Sequence, residues 1–165
     1  MKNHLNKNKL VIAYIGAKSA LAKSFVKCYC KNFIFKPYMG DITNHKKLNL
    51  WLLKNTDINI FINFAAITST TICEKNKKKA LDVNFKSVTK LLNLLNDIKM
   101  NNFNYFLSLS TSHVFKESSF KLTESSKKKP TNYYGVSKLA LEKHISKNKK
   151  KFKFRIGVAR IFNYY

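Results

Sequence analysis

The chain is 165 residues long, carries a formal net charge of +24 and is 45% hydrophobic. This length suits a single domain with a buried core and excludes a disordered polymer. No apolar run reaches the ~18 residues of a membrane span, and the polar opening MKNHLNKNKL lacks a secretory h-region. Cys28, Cys30 and Cys73 have no metal-site spacing. A reduced cytoplasm, with no membrane partner and no metal, is the expectation. The positive charge is almost all lysine, with arginine only at Arg155 and Arg160. Base readers favour arginine, and abundant Lys, Asn, Ile and Phe with scarce Gly and Pro fits an AT-rich genome. Nucleic acid is therefore not the expected partner, whereas a phosphate-bearing ligand would be steered in.

Residues 9–15, KLVIAYI, form an apolar run that ends at Gly16 and reads as a buried strand. Residues 17–31 have helical spacing, with Leu21, Phe25 and Cys28 on one face. A second strand covers 32–35 and ends near Lys36. MGDITN follows, and then a helix over 45–53. INIFINF, residues 58–64, is a third strand running into AAIT. Residues 79–98 read as one strong helix through Leu81, Val88, Leu91, Leu92 and Leu95. A strand over 105–109 ends in Ser110 and Thr111; a helix covers 133–147 and a last strand 152–161. Strands alternating with helices predict a doubly wound parallel sheet in a three-layer α/β/α arrangement, one domain over residues 1–165. Such sheets bind ligands at the carboxyl ends of their strands.

Each strand end offers polar or small residues. After the first strand comes G-A-K-S-A-L-A, residues 16–22. Gly16 allows a tight turn, and the following helix offers N–H groups to a pyrophosphate. Ser19 and Ala22 stand where a dinucleotide fingerprint has its other glycines, and the same run also reads as a plain strand-to-helix turn. Near the second strand end no acid is available for a ribose 2′-OH; Lys36 faces a 2′-phosphate in one reading, which favours NADP(H), and is a solvated lysine in another. Asp41 either caps the next helix or accepts from an adenine amine. Ala65 and Ala66 let a flat ligand lie against the backbone. Asn84, on an otherwise apolar helix, either holds backbone or water near the site or lies on the surface. His113 is a candidate acid–base group with no partner carboxylate in sight. Tyr134 and Lys138, at i and i+4, share a helix face. An adjacent ammonium favours phenolate and lowers a tyrosine pKa, so the phenol can exchange a proton with a carbonyl oxygen while hydride moves at carbon. Tyr14 and Lys18 match the same spacing, so context must separate the two.

GAKSALA, GDITN, NFAAIT, CEKNKKKALDVN, LSTSHVF and TNYYGVSKLALEK, taken in order, resemble the extended short-chain dehydrogenases/reductases, most closely the dTDP-4-dehydrorhamnose reductases and related nucleotide-sugar enzymes. The resemblance implies a Rossmann-like NAD(P)-binding domain. Gly16, Ser19, Ala20, Leu21 and Ala22 would lie under the pyrophosphate, Asp41 and Ile42 at the adenine, and Ala65, Ala66 and Thr68 along the nicotinamide side. Thr111 would bond the substrate oxygen and Tyr134 would donate the proton. Lys138 would hold the nicotinamide ribose, with Asn84 supporting the site. It implies NADP(H) or NAD(H) as cofactor and a 4-keto-6-deoxy nucleotide sugar as substrate, in polysaccharide biosynthesis such as that of dTDP-rhamnose. Epimerase or dehydratase chemistry is the close alternative, and ARIFNYY looks somewhat more like those enzymes. A homodimer stays open. In that family the strand ending ARIFNYY leads into a substrate domain of roughly a hundred residues or more, so the expectation is a truncated chain or a stand-alone cofactor domain, with a non-catalytic remnant as the rival reading.

Overall fold

The computed structural model describes residues 9–116 and 121–162. The leader-free reading of residues 1–8 and the last three residues of ARIFNYY lie outside that range. Five parallel strands form one sheet: β1 (Val11–Ile15), β2 (Ile34–Tyr38), β3 (Ile60–Asn63), β4 (Tyr105–Thr111) and β5 (Arg155–Ile161), in the order β2-β1-β3-β4-β5. The chain leaves β1 for β2 on one side and returns to β3 on the other. The carboxyl ends of β1 and β3, where Ile15 pairs Asn63, therefore bound the crevice at the switch point.

β1 is buried along its whole length, because both faces of the sheet are covered. Val11, Ala13 and Ile15 pack with Phe61 and Phe106 beneath α2 (His45–Leu53), α5 (Ser87–Asp97) and α6 (Tyr133–Asn148). Ile12, Tyr14 and Ile62 face the other way, onto α1 (Ala20–Tyr29) through Ala22 and Phe25. Alternation with period two sorts the strand residues between the two layers.

Three elements depart from the sequence reading. β2 runs through Pro37 to Tyr38 rather than ending near Lys36; it is an edge strand, where a missing N–H breaks no ladder on the outer side. A short α3 (Thr70–Lys75) starts on a cap in which Ser69 Oγ accepts from Ile72 N, a signal hidden by Thr-Thr-Ile, whose β-branched side chains weaken helix propensity. The single helix expected over 79–98 is divided into α4 (Lys77–Leu81), a π turn at Asp82–Lys86, and α5.

Candidate active site

The β1–α1 turn depends on Gly16. Its φ is +84°, the left-handed region that glycine enters without penalty. A β-carbon there would stand 2.5 Å from the Ala65 nitrogen, so the first and third strand ends touch only because it is absent. Ser19 is the N-cap of α1, its Oγ accepting from Ala22 N at 3.2 Å. The hydroxyl proton and the N–H groups of Ala20 and Leu21, in the first turn, remain for an anion. Ala22 is fully buried against the sheet. This turn opens on a crevice of about 480 Å³, where Gly16 and Ser19 face Asp41, Ile42, Ala65 and Ala66. Asp41 accepts from the Thr43 N–H and hydroxyl at 2.8 Å each, and these bonds hold its carboxyl below the ordinary range. The N-cap of α2 is Asn44, not Asp41.

Lys36 is not in this crevice. It lies two residues before the end of β2, and its ammonium meets both Asp57 oxygens at 2.8 Å. Asp57 precedes β3, at the amino end of the strands, whereas the crevice lies at their carboxyl ends. Lys36 is thus engaged in an exposed pair away from the crevice, and a contact with a 2′-phosphate would require that pair to open. The sequence reading ends β2 too early and so puts Lys36 at its carboxyl end.

A second cavity, about 180 Å³, adjoins the first and brings together Ser19, Leu21, Ala66, Thr68, Tyr134 and Lys138. Tyr134 and Lys138 are 8% and 3% exposed. Asn132 starts their helix by accepting from Gly135 N at 2.9 Å, while Glu74 accepts from Tyr133 N at 2.6 Å. A β-carbon on Gly135 would collide with the His113 carbonyl; its absence lets α6 settle onto the turn after β4. That contact brings Tyr134 beside Thr111, whose hydroxyl acts on the phenol and itself accepts from His113 N at 3.2 Å. Tyr14 and Lys18 have no such setting: Tyr14 is packed among aromatic rings beneath α1.

The electrostatics depart from expectation. Burial raises the Tyr134 pKa above its ordinary value, the nearby Thr111 hydroxyl opposing it only in part; the anticipated lowering by Lys138 is not found. Burial also pushes Lys138 down to about 8, with Glu142 acting in the opposite direction. The phenol is thus a neutral proton carrier at neutral pH, beside a buried group that still holds most of its positive charge.

Asn84 is wholly buried and not on the surface. It sits on the π turn, accepts from Ile67 N at 2.8 Å and donates to Ile67 O and Ser137 Oγ at 3.0 Å each. It therefore joins the loop after β3 to the helix of Tyr134. His113 stacks edge-on to Tyr134 at 5.6 Å, and its Nδ1 accepts from Asn132 Nδ2 at 3.0 Å. Its partner is an amide, not a carboxylate. The sequence reading missed Asn63, buried beside the cavity, whose Oδ1 accepts from Ala65 N and whose Nδ2 has no partner among the described residues. A polar residue ending an otherwise apolar strand was the available signal. Among the described residues no His, Cys, Asp or Glu cluster could hold a metal, and no helix is long and apolar enough to cross a membrane.

Residues 6–165 match the NAD dependent epimerase/dehydratase family. The chain belongs to that family. A UDP-glucose 4-epimerase from Streptococcus mutans is 25% identical over 129 residues, 78% of this chain and 38% of its own length. Among solved structures, a dTDP-4-dehydrorhamnose reductase from Bacillus anthracis in complex with NADP is similar with a TM-score of 0.80 at 21% identity, over 95% of this chain and 55% of its own. A UDP-glucuronic acid 4-epimerase from Bacillus cereus, in complex with UDP-glucuronic acid and NAD, gives 0.78 at 24%, over 92% and 56%. This family member spans about half the length of those structures and less of the curated relative.

Proposed function

We propose that the crevice binds NAD(H) or NADP(H) and that the chain carries the hydride-transfer site of a nucleotide-sugar enzyme, read first as a reductase of a 4-keto-6-deoxy sugar. The observation that carries this reading is the convergence of Thr111, Tyr134 and Lys138 beside the switch-point crevice. The crevice and the adjoining cavity fit a dinucleotide on their own features: a turn that only glycine closes, first-turn N–H groups free for an anion, two alanines for a flat ring, and a buried Asn63 Nδ2 without a partner among the described residues. The nicotinamide supplies the hydride chemistry when bound. The residues of the chain handle position and proton. Thr111 and Tyr134 bond the reacting oxygen, the phenol protonates it as it becomes an alkoxide, and the Lys138 charge holds the ribose and stabilises the phenolate left behind.

A second reading, 4-epimerisation, uses the same phenol in the reverse direction first, removing a hydroxyl proton before returning one. The similarity to UDP-glucose 4-epimerase favours it. The test is fluorescence titration with NADH and NADPH, followed by turnover with a dTDP-4-keto-6-deoxy sugar and with UDP-glucose. Binding is expected with either dinucleotide. Tyr134→Phe should retain it and lose turnover at least a hundredfold. No binding by the wild-type chain would refute the proposal, and binding without turnover on any such sugar would leave a nucleotide-binding remnant.

A further inference from the structure

Behind Lys138 lies a buried polar cluster with no task in the reading above. Glu142 is the next residue on that face of α6, one turn past Lys138, and is 9% exposed. Its Oε1 accepts from Ser110 Oγ at 2.6 Å and Arg160 Nε at 2.9 Å, and its Oε2 accepts from Arg160 Nη2 at 2.8 Å. Ser110 precedes Thr111 on β4 and pairs with Arg160 across to β5. One carboxylate therefore ties together three elements, two of which carry the reacting groups. Burial opposes its charge, but Arg160 and Ser110 hold its pKa below the ordinary value.

Stability alone does not account for such a cluster, since apolar side chains of similar volume commonly replace buried ion pairs at no loss. Its setting suggests a different use. An ammonium taken out of water needs a compensating charge close by, and Glu142 is the acid that acts on Lys138. Around the cluster lie Tyr134 and Lys143 on the same helix, Lys149 just past its end, Cys73 on α3, Arg160 on β5, and Glu124 and Lys128 in the segment before α6. Glu124 acts on Arg160 and Lys128 on Glu142.

We propose that Glu142 is a positioning residue for the Tyr134–Lys138 pair: it anchors the far side of the lysine to β4 and β5 and keeps an ammonium, rather than a neutral amine, in the cavity. The role rests on Lys138 serving the cofactor, but its test does not use cofactor.

The experiment is a pH titration of the whole chain labelled with 13C at the lysine ε-carbon, with the Lys138 signal assigned by its loss in Lys138→Arg. The wild-type midpoint is expected at about 8. Glu142→Gln keeps the shape and removes the charge, and should lower the midpoint by about one unit or more. Arg160→Met leaves the carboxylate without its cation and should move the midpoint up. Opposite shifts in the two variants are the result expected of a charge role; a purely structural cluster predicts none. If Glu142→Gln does not fold, Arg160→Met decides alone: a rise supports the role, and no change or a fall overturns it. An unmoved midpoint in folded Glu142→Gln also overturns it. None of these results depends on whether NAD(P)H binds.

Discussion

Lys138 offers a quantitative test of how far the site is built against stability. Its amine falls from 10.5 to about 8, with burial the main cause. The difference of 2.5 units, at ~1.4 kcal/mol per unit, is about 3 kcal/mol. The folded state holds this proton less tightly than the unfolded chain. Below pH 8 both states are protonated and folding carries the full penalty. Between about pH 8 and 10.5 only the unfolded chain keeps the proton, so the penalty fades and stability rises with pH. Lys138→Met keeps the length of the side chain and removes the charge. At pH 7 the variant should be more stable than wild type by up to about 3 kcal/mol, raising Tm by roughly 6–12 °C for a chain of this size. The advantage should shrink steadily towards pH 10. Urea unfolding followed by circular dichroism at both pH values measures it, as a difference between two chains that share every other titrating group. The same variant should bind NADH less tightly. A variant no more stable than wild type at pH 7 would refute the argument that the ammonium is held there at the expense of the fold.

Other substitutions separate the parts of the site. Gly16→Ala combines a left-handed φ, disfavoured by about 1–2 kcal/mol, with a methyl 2.5 Å from the Ala65 nitrogen; thermal unfolding should fall by several degrees and NADH affinity at least tenfold, and unchanged values would contradict the close approach. Asn84→Ala leaves both Ile67 backbone groups and Ser137 short of a partner, at about 1–3 kcal/mol per buried group, so a urea midpoint equal to wild type would remove Asn84 as the link between loop and helix. Lys36→Ala breaks only an exposed pair, so stability should change by less than about 1 kcal/mol and the NADPH-to-NADH affinity ratio should hold; a shifted ratio would return Lys36 to the crevice.

Much of this molecule was legible in its sequence. The apolar runs ending at Gly16, Asn63 and Thr111 are strands because only a sheet covered on both faces buries such runs, and the spacing of Tyr134 and Lys138 puts both side chains on one helical face. What was hidden depends on partners distant in the chain. The second strand reads as ending near Lys36, short of Pro37 and Tyr38, because nothing local says that β2 is an edge strand able to hold a proline. Lys36 looked available because its acid, Asp57, lies 21 residues away. Asn84 read equally well as surface or support until Ile67 and Ser137 were beside it. The direction of the Tyr134 shift depends on how much water the fold removes, which spacing cannot report. Glu142 carried a signal that was passed over: it continues the Tyr134–Lys138 step by four.

The π turn at Asp82–Lys86 constrains the length of this polypeptide. Its loop of backbone holds one residue more than an ordinary helical turn. Deleting that residue would regularise the spiral and satisfy local propensity. It would also swing everything beyond by about 100°, turning Val88, Leu91, Leu92 and Leu95 away from the sheet. The irregularity keeps two incompatible registers in phase, so this stretch, its buried Asn84 apart, should tolerate exchanges of side chain far better than changes in residue number.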